Sequence, residues 1–235
     1  MFVRNKGAFV KGLVLAVSFA VVLVLMFLPL FSGENALEAA DRLFNSISKG
    51  STNFFSDLLK KNQAFKGVNV EVKLSFPSAP MAGTAAKILD AAGAKAQIDD
   101  AKLAVTGDLD RILAAALSDG AAMFENKDEP LRQKYGISGK EALYAWWYSL
   151  KQIDKDLTRQ KRFKEAAFVS EVIKKGVEVG YNFFGIKSRE ARGSIGTLSF
   201  AMVFYVIYTL WWGIAVLFLF EGIGMQLKHA AKKEI

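Results

Sequence analysis

Two stretches without a single charged residue, one near each end, constrain this chain more than any other feature. Residues 12–31 read GLVLAVSFAVVLVLMFLPLF, and residues 195–220 read IGTLSFAMVFYVIYTLWWGIAVLFLF. At about 1.5 Å of rise per residue, either one covers the ~30 Å hydrocarbon core of a bilayer as a helix. Pro29 falls in the last turn of the first stretch, where a helix can end. A basic start before an apolar run also fits a cleaved signal peptide. This run is longer than a usual signal core, however, and no clear small-x-small cleavage site follows it.

The spans divide the chain into a tail (1–11), a first transmembrane helix (12–31), a central domain (32–194), a second transmembrane helix (195–223) and a second tail (224–235). Arg4, Lys6 and Lys11 precede the first span, whereas Glu34, Glu38 and Asp41 follow it. Basic flanks stay on the cytoplasmic side, and the first span usually dominates. The expected topology is a bacterial-type inner membrane protein with both termini cytoplasmic and the central domain periplasmic. Lys187, Arg189 and Arg192 before the second span balance Lys228, Lys232 and Lys233 after it, so that span orients the chain less firmly.

Inside the spans, small residues recur every four positions: Gly12, Ala16 and Ala20 in the first, Thr209 and Gly213 in the second. That spacing puts small side chains on one helix face and lets another backbone approach, so these five are the expected helix-packing residues. Tyr205, Tyr208, Trp211 and Trp212 lie near the middle of the second span, away from the headgroup level where aromatic belts form. They are expected to contact another helix, a partner or a lipid.

The central domain reads as helix-rich α+β. Leu37, Ala40, Leu43, Phe44 and Ile47 recur at helical spacing, Gly50-Ser51 breaks that helix, and 53–65 is a short amphipathic helix. Residues 68–76 alternate strictly as a half-buried strand closed by Pro77 and Pro80. A helix over 82–92 follows, then short strands over 95–98 and 102–106 joined at Asp99-Asp100, then a helix capped by Asp108 and ending at Gly120. The pattern predicts a small three-stranded sheet followed by a helical C-terminal half. Ser138-Gly-Lys-Glu141 is a capping box. Leu143, Trp146, Leu150, Ile153 and Leu157 form a packing seam, and a further helix covers 163–179 with Glu171 and Lys175 paired. Residues 181–186 are expected near the membrane surface, and 125–136, charged and carrying Pro130, is the expected flexible segment.

Composition closes several functional classes. The chain has no cysteine and one histidine, His229. Disulfides, thiolate zinc sites and Fe–S clusters are therefore excluded, as is haem held by two histidines of this chain. Lys and Arg exceed Asp and Glu by eight overall but by only four within residues 32–194. The excess flanks the spans instead of building one basic face, so nucleic acid is not an expected partner. The acid groups at Asp99-Asp100, Asp108-x-Asp110, and Asp119 with Glu125, Asp128 and Glu129 do not match a calcium loop. No catalytic residue, cofactor or metal is assigned. Tyr144, Trp147 and Tyr148 turn onto a face beside the apolar seam and are candidate partner contacts, since exposed large aromatics mark interfaces.

These features point to a non-catalytic accessory or scaffold subunit of a membrane complex, its partners being membrane lipid and other membrane subunits or a second copy. Two alternatives share the layout. The arrangement resembles the self-assembling membrane proteins that regulate surface-polysaccharide chain length, which also carry a span at each end and a large α+β periplasmic domain. Their proline-rich segment at the second span is missing here, as no proline follows Pro130. A ligand-binding sensor or transporter component would have to signal through a partner, given only about ten residues after the second span.

Overall fold

The computed structural model describes residues 3–225. The tail carrying Lys228, His229, Lys232 and Lys233 lies outside the described residues, and with it most of segment 224–235. In chain order the elements are α1 (Lys6–Met26), α2 (Ala36–Ser51), α3 (Phe55–Asn62), β1 (Asn69–Ser75), α4 (Ala79–Ala91), β2 (Lys95–Asp99), β3 (Lys102–Asp108), α5 (Leu109–Phe124), α6 (Glu129–Tyr135), α7 (Gly139–Arg159), α8 (Phe163–Val172), α9 (Glu178–Asn182) and α10 (Ile195–Gly222). They form two compact units, one of Met1–Ile47 with Arg189–Ile235, the other of Ser48–Ser188.

The first unit is built on α1 and α10, two helices long and apolar enough to cross a membrane. A core helix of a soluble protein would be covered; these are not. Phe200 is 68% exposed, Met202 72% and Tyr205 69%, so carbon faces outward along nearly the whole length. Helix α1 starts six residues before the predicted span because Asn5 caps it, its Oδ1 accepting the Ala8 N–H at 3.1 Å. It stops at Met26, so Pro29 lies beyond the helix and not in its last turn; a proline disfavours helical geometry in the residue before it, here Leu28. Ser32 and Gly33 then take φ of 56° and 90°, and Phe31 and Glu34 exchange backbone hydrogen bonds of 2.9 and 3.1 Å across this reversal. Asn35 and Glu38 cap α2 reciprocally: Asn35 Oδ1 accepts the Leu37 and Glu38 N–H groups, and Glu38 Oε2 accepts the Asn35 N–H.

The second unit carries a three-stranded antiparallel sheet in the order β1-β3-β2. Its inner face follows from the alternation: Val70, Val72 and Leu74 of β1 and Leu103 and Val105 of β3 are buried, their neighbours exposed. Asp100 turns the β2–β3 hairpin at φ 52°, a left-handed conformation that Asp tolerates. The free edge of β1 is covered by side chains from the end of α7 and just beyond it. Lys73 N–H donates to Asp156 Oδ2 at 3.1 Å, Gln160 Nε2 to the Glu71 carbonyl at 2.8 Å and Arg162 Nη1 to the Asn69 carbonyl at 2.9 Å, which leaves that edge closed to another strand. Ser138 Oγ caps α7 by accepting the Glu141 N–H at 3.3 Å, and all five residues of the predicted seam are buried. Fully burying a Leu or Ile stabilises by roughly 1.5–3 kcal/mol, so this seam is a major part of the core.

Three expectations within this unit need correction. Gly120 does not end α5, which runs on to Phe124. Gly180 packs directly on its backbone, since a Cβ on Gly180 would fall 2.4 Å from the Gly120 carbonyl oxygen, and a Cβ on Gly120 itself would sit tightly, 3.3 Å from the Gly176 carbonyl oxygen. The segment 125–136, expected to be flexible, holds a helix after a turn at 125–128: Pro130 occupies the first turn of α6, where its missing N–H costs nothing, and Leu131 and Tyr135 are buried. The predicted helix 163–179 is interrupted by a π turn, Ile173–Val177, and continues to Asn182.

Candidate functional site

Within the first unit, the aromatic residues of the second span gather on one phenylalanine of the first. The Tyr208 ring stacks on Phe19 with centroids 4.2 Å apart, Trp212 lies 4.8 Å away, and Trp211 meets it edge-on at 6.3 Å. The Trp211 indole donates to the Leu15 carbonyl at 3.1 Å, which gives a polar N–H at mid-helix depth a partner. Three of the four predicted contact aromatics thus serve the α1–α10 pair itself. Tyr205 faces outward.

Of the five spaced small residues, Gly12 lies in the contact between α1 and α10, and Gly213, Ala20 and Thr209 lie outside it. A Cβ on Gly12 would lie 2.7 Å from Leu219 N and 3.0 Å from the Ala215 carbonyl oxygen, so glycine is what lets the backbones meet. Gly213 has nothing within 4 Å of such a Cβ, Ala20 is exposed, and Thr209 donates its hydroxyl to the Tyr205 carbonyl of its own helix. Ala16 is half-buried. The residues that complete the contact are Ala8, Ala215 and Gly222, all buried, with a Gly222 Cβ falling 2.6 Å from Phe9 Cα. On α1 the spaced residues go from buried Gly12 through half-buried Ala16 to exposed Ala20. On α10 the spacing chose Gly213, about 160° around the helix from Ala215 when wound at 3.6 residues per turn over the intervening steps. Beyond these residues, Arg4 and Asn5 donate their N–H groups to the Gly222 carbonyl at 2.8 and 3.0 Å, and Asn5 Nδ2 donates to Glu221 Oε1 at 3.3 Å.

In the second unit, Tyr144 and Trp147 stand together on α7, nearly parallel with centroids 5.9 Å apart. They line a cleft of about 320 Å³ closed on the far side by Val177, Glu178, Tyr181 and Asn182. The Trp147 indole donates to Glu178 Oε1 at 2.8 Å, which fixes both side chains. Glu178 is the first residue after the π turn, and such turns occur often at functional sites. Tyr144 and Tyr181 are exposed, and two cations frame the cleft: Lys151 lies 4.1 Å over the Trp147 ring and Lys140 5.6 Å from the Tyr181 ring. Tyr148, grouped with them by sequence, is turned inward instead, half-buried with its ring 5.3 Å from Phe76 of the core.

Sequence reasoning missed Tyr181, Glu178 and the two lysines. The signal was present for part of this set: Lys140, Tyr144, Trp147 and Lys151 are spaced by four, three and four, one face of a helix. Nothing in the spacing announced that α9 would bring Glu178 and Tyr181 against that face.

Several of the acid residues have a local partner. Asp119 is buried, accepting the Tyr135 hydroxyl at 2.5 Å and the Trp146 indole N–H at 2.8 Å, with Lys134 Nζ 3.2 Å from its other oxygen. Asp128 accepts the Gly139 N–H and pairs with Arg132, whose hydrogen bond holds its carboxyl below the usual range. Among the described residues, no three His, Asp or Glu side chains converge as a metal site requires. A buried lysine is also accounted for: Lys49 Nζ donates to the Phe183 and Ile186 carbonyls at 3.0 and 2.6 Å and to Asn126 Oδ1 at 3.2 Å, while burial lowers its pKa.

No known protein family matches the chain, and neither a curated protein nor a solved structure is significantly similar to it.

Proposed function

We propose that this chain is a non-catalytic accessory or scaffold subunit of a membrane protein complex. In this reading α1 and α10 cross a bacterial-type plasma membrane, both termini are cytoplasmic, and the central domain is presented to partners outside. The observation that carries it is the cleft between α7 and α9. Tyr144 and Tyr181 are large, rigid and exposed, and Trp147 is pinned by Glu178. That is the composition of a protein-binding hot spot, where aromatic anchors supply most of the energy. Lys140 and Lys151 at its borders favour a partner segment carrying acidic residues, through complementary charge.

The test is extraction of the full chain in a mild detergent, followed by mass analysis of the intact assembly. Co-migration with different membrane subunits is expected, and Tyr144→Ala combined with Tyr181→Ala should weaken it at least about 30-fold, the scale of a 2 kcal/mol hot spot. A large homo-oligomer indifferent to these substitutions would favour self-assembly instead. A lone monomer would remove the accessory reading altogether.

A further inference from the structure

The first unit contains a second cleft, at the end of the α1–α10 pair remote from the Arg4–Gly222 contact. It is a cavity of about 420 Å³, walled by the end of α1, the start of α10 and α2. Phe31, Phe44, Phe200 and Phe204 supply aromatic walls, Ala40 and Ala201 leave the space open, and the hydroxyl of Thr197 is the one side-chain polar group in the lining. We infer that this cleft holds one acyl chain of a bilayer lipid. The inference rests on the membrane-crossing reading of α1 and α10.

Three properties select that occupant. The lining is almost wholly carbon, so a headgroup, a sugar or a peptide backbone would lose hydrogen bonds on entering it. Two of its walls are the membrane-length helices, so the cleft is continuous with their outward apolar surface, and an acyl chain enters without passing through water. Its size is small for a protein partner. A helix about 10 Å across occupies roughly 420 Å³ in a single 5.4 Å turn, so only one turn of a partner helix would fit. The exposed wall is likewise a small fraction of the ~800 Å² per partner that a stable protein interface buries. A thin, unbranched chain matches these limits.

The experiment reconstitutes the full chain in phosphatidylcholine vesicles doped with a phospholipid that carries a photoreactive group on its acyl chain. Vesicle flotation comes first: a chain that stays out of the vesicles removes the membrane reading and this inference together. With the chain in the vesicles, adducts should concentrate on peptides covering 36–44 and 197–204. Ala40→Trp with Ala201→Trp should reduce them at least fivefold while labelling at Val14 and Val17 persists. Ala40→Leu with Ala201→Leu, a smaller filling, should give an intermediate loss with an unchanged circular dichroism spectrum. Labelling spread evenly along both helices, or unchanged by either pair, overturns the acyl-chain site alone. So does protection of the cleft by a cross-linked second copy.

Discussion

Asp119 shows how a residue can be visible in a sequence while its role is not. In the sequence it is one acid of a group that matches no calcium loop; in the fold it is the acceptor that makes Trp146 and Tyr135 compatible with burial. Burial, and after it the hydrogen bond to Asp119, pushes the Tyr135 phenol well above its ordinary value of 10.0. A raised phenol contributes stability that is complete below the unfolded pKa. That contribution drains away as pH climbs above it, where the unfolded chain ionises and the folded chain resists. The melting temperature of the detergent-solubilised chain should therefore fall between about pH 9.5 and 11, and fall less steeply in Tyr135→Phe. Equal slopes in the two proteins would show that this phenol is not the group responsible. What the sequence could not disclose was the partner: Asp119 and Trp146 are 27 positions apart, with no periodicity linking them.

Elements were more legible than residues because their signals are periodic and local. The alternation of 68–76, the Ser138 cap and the seam of α7 each recur in the structure with the expected faces buried. Misreadings came where a long-range contact overrides a local rule. Gly120 reads as a helix end, yet it lies inside α5, with Gly180 packed on its backbone; of the glycines in the pair, Gly12 and Gly222 lie in the contact and Gly213 has open space around it. This gives a sharp comparison. Gly12→Leu should cost about 1–3 kcal/mol through overpacking and lower the melting temperature in detergent by several degrees, whereas Gly213→Leu should leave it nearly unchanged. Equal effects would mean that α1 and α10 do not meet along Gly12. The aromatic cleft was half legible, since its α7 face lies in one helix and its α9 face depends on how two helices pack.

At the scale of the molecule, the two uncharged stretches of the sequence already marked the two apolar helices and the segment between them. Sidedness can be measured directly. A phosphatase reporter active only outside the cytoplasm, fused after Ile235, should be silent, and the same reporter inserted at the exposed Asp99-Asp100 turn should be active. The opposite result would invert the topology. The backbone clasp at the other end has a mechanical consequence. Because Arg4 and Asn5 both hold the Gly222 carbonyl, and the Trp211 indole holds Leu15, α1 and α10 are pinned at two heights and cannot slide past one another. Helix α10, at 28 residues, spans about 42 Å, more than a bilayer core is thick. In the proposed membrane-crossing reading, a thinner membrane is met by leaning the two rods together, as a hinged mast leans with its stay attached.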